Sequence, residues 1–359
     1  MFCAPVSADK MTNLPRRMPA EWEPHDATWI AWPHHEPDWP DKLNAVVWAF
    51  AEMVRVLSAH ERVEILCADD MVSLSARRCL DAHGVPAAGY RIHIVPNDRV
   101  WLRDSAPTCV KRAGGGIEMI NWRFTAWAKY DGYSRDDLVG TALAAKLGLP
   151  RLEAVRAGGT RLVLEGGAID TDGAGTLIVT EECLLSTVQQ RNDGMDRADY
   201  EKAFAEYLGV TRTIWLGRGC AGDDTHGHVD DIARFVARGV VALAFESNPA
   251  DANFASSADN YERLQRERDA SGSALRVVKI PYPRAVTMMG QRLPASYLNF
   301  YIANGVVIVP TFNDANDRVA LAQFAELFRG REIIGIHALD LVWGFGTLHC
   351  LTQQQPAPA

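Results

Sequence analysis

The sequence lacks the cysteine pattern of a disulfide scaffold or a zinc ribbon. Its seven cysteines, Cys3, Cys67, Cys79, Cys109, Cys183, Cys220 and Cys350, are odd in number, scattered and without a CxxC pair. A reducing, cytoplasmic setting is the expectation. There is no run of about 18 apolar residues, so no transmembrane helix is expected. The opening MFCAPVSADKMTNLPRRMPAEW has neither a continuous apolar stretch nor a small-residue cleavage pattern, and does not read as a signal peptide. A basic excess is also missing: 37 Lys and Arg face 45 Asp and Glu, a formal net charge of −8. That disfavours nucleic acid or an anionic membrane as partner and suits a small cation. No Pro/Ser/Gly-rich linker or charge block divides the 359 residues, which favours one repeat-built unit over two domains.

What is present is a chain 48% hydrophobic and 23% charged, able to bury a large core. Between Asp41 and His60, Val46, Val47, Phe50, Met53, Val54 and Leu57 recur at helical spacing after Pro40. RVEILCA then alternates as a half-buried strand, Asp69 or Asp70 can cap a helix through Leu80, and RIHIV at 91–95 reads as another strand. LVLEGGAIDTDGAGTLIVT and NFYIANGVVIVP each read as two strands around a DG or NG turn. Helical stretches near 200, 261 and 318 lie between, so the grammar is a repeated mixed α/β unit rather than a plain doubly wound sheet.

Polar residues interrupt these apolar segments at regular distances. Asp104 and Glu165 are 165 − 104 = 61 apart, Glu165 and His228 are 228 − 165 = 63 apart, and His228 and Cys350 are 350 − 228 = 122 apart. A repeat of roughly 60 residues would put one polar group at a similar corner of each copy. Asp104 in VWLRDSAPT is either a surface turn or a carboxylate needing a partner. Glu165 ends an aliphatic run before two glycines that allow close backbone approach. GDDTHGHVDDIARF is the densest polar segment. Taken as a strand, it projects His228 and Asp230 from one face, a pairing suited to proton transfer and cation binding. The same segment also supports a rival, a metal hydrolase built on Asp223, His226, His228 and Asp230. Cys350, after a Gly-Phe-Gly turn and His349, reads as a partly accessible thiol. Cys67 and Cys109 read as buried hydrophobes.

Together MPAEWEPHDATWIAWP, WLRDSAPT, LEGGAID with TLIVTEECLL, THGHVDDIARF, LPASYLNFYIANGVVIVP and HCLTQQQP resemble, in one order from Met18 to Pro356, the agmatine deiminase and bacterial peptidyl-arginine deiminase family. The resemblance implies a pentein fold, a five-bladed α/β propeller with pseudo-fivefold repeats around a central active site. It implies a single domain over 18–356, a flexible extension over 1–17 and a short tail over 357–359. It makes Cys350 the nucleophile, His228 the general acid and base, Glu165 the carboxylate orienting that histidine, and Asp104 with Asp230 the pair gripping a guanidinium. The implied reaction is agmatine to N-carbamoylputrescine plus ammonia, a step of polyamine metabolism, with no metal and no organic cofactor. Other guanidino substrates and an amidinotransferase are the close alternatives.

The chain departs from the family pattern where Gly344-Phe345-Gly346-Thr347 replaces a triple-glycine run followed by Asn, where His226 replaces Asn or Asp, and where Asp231 replaces Asn. Phe345 then either narrows the pocket or lines the substrate's tail. Trp101 and Trp343 are expected as walls of a cation pocket. Trp22, Trp29, Trp32, Trp39 and Trp48 are expected in packing. Asp223 and Asp224 are candidates to receive a second ammonium. Association of identical copies is left open.

Overall fold

In the computed structural model of the chain, residues 15–358 are described. Their strands form five larger sheets with one recurring pattern and a small hairpin, Thr287–Met288 with Gln291–Arg292. In each larger sheet a first strand pairs antiparallel with a second, and the second pairs parallel with a third. The first sheet has Thr108–Arg112, Ile117–Asn121 and Arg151–Glu153. The next three run Asp170–Thr171, Thr176–Thr180, Arg212–Leu216; then Ala233–Ala237, Val240–Phe245, Arg276–Pro281; then Tyr301–Ala303, Val306–Thr311, Glu332–His337. In the fifth, the C-terminal strand Thr352–Pro356 pairs with the N-terminal His25–Ala31, followed by Arg62–Cys67 and Tyr90–Ile94. The two ends of the chain are thus stitched into one sheet.

A parallel pair needs a crossover, and a helix supplies it each time. These helices are Val139–Leu147, Arg197–Leu208, Phe254–Arg266, Asn316–Leu327, Leu43–Leu57 and Asp70–Ala82. Leu43–Leu57 buries Val46, Phe50, Met53, Val54 and Leu57, the face expected from periodicity. Asp196 caps Arg197–Leu208 in a reciprocal capping box with Asp199, and Asp69 caps Asp70–Ala82 through the Val72 amide. Asn304-Gly305 forms the expected tight turn, with Gly305 at φ 75°.

Several expectations need correction. LVLEGGAID does not extend as a strand. Only Asp170–Thr171 joins the ladder, because Glu165 leads into a one-turn helix, Gly166–Ala168. Val229–Asp231 is likewise one helical turn ahead of Ala233–Ala237, so strand alternation is not what relates His228 to Asp230. Arg16–Arg17, assigned to the extension, form an edge strand on Lys111–Arg112, whereas residues 1–14, including Cys3, lie outside the described residues. Among the N-terminal tryptophans, Trp29, Trp32 and Trp39 are buried, but Trp48 is 66% exposed. No helix among the described residues is long and apolar enough to cross a membrane.

Candidate active site

Asp104, Glu165, His228 and Cys350 each stand in the turn just ahead of their sheet's first strand. The turns are the helix Leu102–Ser105, the Gly166–Ala168 turn, the Val229–Asp231 turn and the helix Leu348–Leu351. The two glycines after Glu165 permit the approach of the first three. A Cβ on Gly166 would collide with the Arg103 carbonyl. One on Gly167 would lie 2.5 Å from His228 Nδ1 and 2.9 Å from an Asp104 oxygen.

The groups named from sequence converge. His228 Nδ1 lies 3.8 Å from Asp104 Oδ1, and its Nε2 lies 3.7 Å from Glu165 Oε2. Cys350 Sγ lies 3.6 Å from Asp230 Oδ2. Both His228 ring nitrogens and Asp230 Oδ1 are buried without a hydrogen-bond partner among the described residues. Such groups are costly to bury unless something satisfies them. Asp104 Oδ1 accepts from the Gly167 amide and its Oδ2 from the Trp127 indole, both at 2.9 Å, which fixes the carboxylate plane.

Charges are poised around this core. Burial pushes the Asp104 carboxyl up to about 6, with Asp230 and Glu165 adding to the rise while His228 opposes it. Burial also opposes charge on Glu165, but Arg191 at 3.0 Å and His228 outweigh it and bring that carboxyl to about 2. For His228 burial disfavours the cation, yet Asp104, Cys183 and Glu165 together lift it well above the ordinary imidazole range. Asp230 and Asp231 are adjacent buried carboxyls that behave oppositely. Burial works against charge on Asp230 too, but His349, donating at 2.7 Å, keeps it ionised, while burial and Asp230 itself push Asp231 well up. His349 reaches on through Nε2 to Glu21 at 2.9 Å, and Glu21 pairs with Arg234 at 2.9 Å.

Cys350 is only 5% exposed, so the expectation of a partly accessible thiol fails on exposure alone. Burial, Asp230, Asp231 and Asp104 push its thiol well above the ordinary range. Cys67 and Cys109 are also raised by burial, to about 12. What distinguishes Cys350 is the cavity it faces. This cavity, of about 470 Å3, is lined by Asp104, Cys350 and all three aromatics named from sequence, Trp101, Trp343 and Phe345. Trp127, Tyr130 and Asp224 complete much of the wall. Gly346 permits the packing: a Cβ there would lie 2.6 Å from the Trp101 ring and 3.2 Å from Cys350 Sγ. Phe345 adopts φ 67°, a left-handed backbone that costs a non-glycine residue about 1–2 kcal/mol.

The rival metal set is not brought together. The Asp223 carboxylate accepts from the Thr225, Gly227 and His228 amides and the Thr225 hydroxyl. His226 Nε2 meets Ser186, and its ring borders a different, solvent-open groove of about 970 Å3. Although larger, that groove is lined by none of the five converging residues. Ligand atoms of Glu165, Cys183 and His228 do come within 4.8 Å of one another, but the Arg191 guanidinium already occupies Glu165 and would repel a cation there.

Sequence reasoning missed Arg191, Trp127, Glu21 and Asn299, and did not assign a role to His349. Asn299 Nδ2 lies 3.1 Å from Cys350 Sγ and 2.9 Å from Asp231 Oδ1. Its signal was present, since it lies within the block LPASYLNFYIANG, as Glu21 lies within MPAEW.

The family model of Porphyromonas-type peptidyl-arginine deiminases matches residues 17–356. An agmatine deiminase of Stutzerimonas stutzeri is 37% identical over 97% of this chain and 98% of its own length. One of Pseudomonas aeruginosa is 35% identical with the same coverage. The solved agmatine deiminase of Enterococcus faecalis superposes with a TM-score of 0.89 at 32% identity, covering 96% of this chain and 97% of that one. By the family-model match over residues 17–356, the chain belongs to the Porphyromonas-type peptidyl-arginine deiminase family.

Proposed function

We propose that the protein hydrolyses agmatine to N-carbamoylputrescine and ammonia through a covalent amidino-Cys350 intermediate. The observation that carries this reading is the set of buried, unpartnered atoms, Asp230 Oδ1 and both His228 nitrogens, beside Cys350 and the ionisable Asp104. A planar cation with several N–H donors satisfies the carboxylates in bidentate fashion, which an amine or a sugar does not. Asp104 and Asp230 hold the guanidinium plane while the sulfur approaches its central carbon.

The arriving cation offsets the carboxylates that hold the Cys350 thiol protonated, the thiol passes its proton to solvent, and the thiolate attacks. An S–C bond forms, His228 donates its proton to one nitrogen, and the C–N bond breaks to release ammonia. Water then gives a proton to the neutral imidazole and adds to the amidino carbon, after which the S–C bond breaks and the departing thiolate takes the hydroxyl proton of the product, leaving the ureido group and the Cys350 thiol. Glu165, held by Arg191, keeps His228 positioned and favours its charged form. Agmatine's second ammonium is received by Asp224, which lines the same cavity and accepts from the Tyr130 hydroxyl at 2.6 Å. Trp101, Trp343 and Phe345 wall the butyl chain between.

The five sheets are read as the blades of a closed α/β propeller forming one domain over 18–356, working in the cytoplasm. The repeated strand pattern and the pairing of the two chain ends support that reading. The test is a panel of agmatine, arginine, 4-guanidinobutyrate, methylated arginines and a peptidyl arginine, read by ammonia and ureido product. Agmatine is expected to be turned over best, and Cys350→Ala to be inactive while folded. Activity in that variant refutes the mechanism. Transfer of the amidino group to an added amine without ammonia release replaces hydrolysis with transfer.

A further inference from the structure

Four of the five sheets carry a site residue at the turn before their first strand. The remaining sheet, the fourth, begins at Tyr301, and the residue two positions ahead of it is Asn299. The long interval between His228 and Cys350 is divided there, into 299 − 228 = 71 and 350 − 299 = 51 residues. We propose that Asn299 is the fifth corner of the active site, a catalytic residue whose side-chain N–H stabilises the Cys350 thiolate while its carbonyl holds the nucleophile's turn. The proposal rests on Cys350 being the nucleophile.

The hydrogen bonds fix both ends of the amide. Asn299 Oδ1 accepts from the Thr347 hydroxyl at 2.9 Å and from the backbone amides of Thr347, His349 and Cys350 at 3.2, 3.1 and 3.3 Å. Those amides open the helix Leu348–Leu351, whose own N-cap residue, Thr347, makes no side-chain cap. Four donors around one oxygen rule out the flipped amide, so Nδ2 must face the sulfur. Its two hydrogens have two near acceptors, Cys350 Sγ at 3.1 Å and Asp231 Oδ1 at 2.9 Å, with Asp230 Oδ2 farther at 3.4 Å.

The largest influences on the sulfur oppose a thiolate, burial first and then Asp230, Asp231 and Asp104, and the Asn299 side chain is the hydrogen-bond donor acting the other way. Ser296 strengthens the same strut, since its hydroxyl donates to the Asp231 carbonyl at 2.6 Å and accepts from the Leu298 amide. One side chain thereby sets the distance between the nucleophile and the carboxylate turn at 230–231, two loops 120 residues apart in sequence.

Asn299→Asp keeps the cap and removes the N–H but adds a carboxylate that itself raises the thiol, whereas Asn299→Ala removes the N–H without adding charge, so both variants must shift the thiol upward. The introduced carboxylate still accepts the four donors, so the turn stays capped, but it offers no N–H to the sulfur. The expected result is a folded protein with kcat lowered about 10- to 100-fold, the range for losing a hydrogen bond to a charged group, and KM changed less. Without substrate, iodoacetamide labelling of Cys350, followed by peptide mapping across pH, is expected to show its midpoint displaced upward by about 1–2 pH units. Asn299→Ala, if it folds, should lower kcat and displace the midpoint upward similarly. The wild-type labelling profile in either folded variant overturns the proposal, whether or not KM has changed. Should the aspartate variant not fold, the same profile on Asn299→Ala decides in the same way. Because labelling needs no substrate, its outcome is independent of which guanidine the enzyme prefers.

Discussion

Binding of the guanidinium should release a proton from Asp104, by an amount set by its surroundings. The free carboxyl is raised to about 6, roughly two units above its ordinary value, chiefly by burial. A cation about 4 Å away contributes about 4 kcal/mol at an effective dielectric of about 20, equivalent to about three pKa units, enough to restore an ordinary carboxylate. At pH 6 the free enzyme holds about half a proton on Asp104, and the complex holds almost none. The sign follows: affinity for the cation climbs as pH rises toward 6 and flattens above it, and kcat/KM carries an acid limb near the same pH. Calorimetry of agmatine binding to Cys350→Ala, in buffers of different ionisation enthalpy at pH 5, 6 and 7.5, measures the protons directly. Using that variant removes any contribution from the thiol. His228 and Asp231, both raised, can add to the release but cannot reverse it. Affinity independent of pH between 5 and 7, or proton uptake, refutes the reasoning.

Two further perturbations follow from the same geometry. Arg191→Met removes the guanidinium from a Glu165 side chain that is wholly buried, and should cost about 3–5 kcal/mol in urea unfolding at pH 7. Glu165's depressed pKa makes its share of stability present above about 4.5 and lost as pH falls toward about 2. The variant should lack that acid-side loss. Asp224→Asn should raise KM for agmatine about 10- to 100-fold, as for a lost charge-assisted hydrogen bond, while sparing 4-guanidinobutyrate, which has no second ammonium. Equal changes for both substrates, in steady-state ammonia release, would remove Asp224 from the tail site.

The crossover helices other than Val139–Leu147, and the Asn304-Gly305 hairpin, were legible because local periodicity and a turn dipeptide decide them, as at Leu43–Leu57. The turns that carry the chemistry were not. Glu165 and His228 end their extended runs early because each must bend toward the other, and Gly167 lets His228 and Asp104 close over it. The corner spacing nevertheless located Asp104, Glu165, His228 and Cys350. It passed over Asn299 because the corners were sought among acidic, imidazole and thiol groups, and an uncharged amide in the apolar stretch LPASYLNFY is none of these. Partners such as Arg191 on Glu165, Trp127 on Asp104 and Glu21 on His349 come from other turns of the chain, 26, 23 and 328 residues away. No local pattern announces such pairings. The strand argument that put His228 and Asp230 on one face reached the right neighbourhood through the wrong geometry.

The most direct test of the central claim, covalent turnover at Cys350, is mass spectrometry of wild-type enzyme acid-quenched during turnover of agmatine and then digested. The peptide carrying Cys350 should gain the mass of agmatine less ammonia, and the gain should vanish once substrate is exhausted. Steady ammonia release with that peptide unmodified, from an enzyme whose Cys350→Ala variant also remains active, would contradict the account.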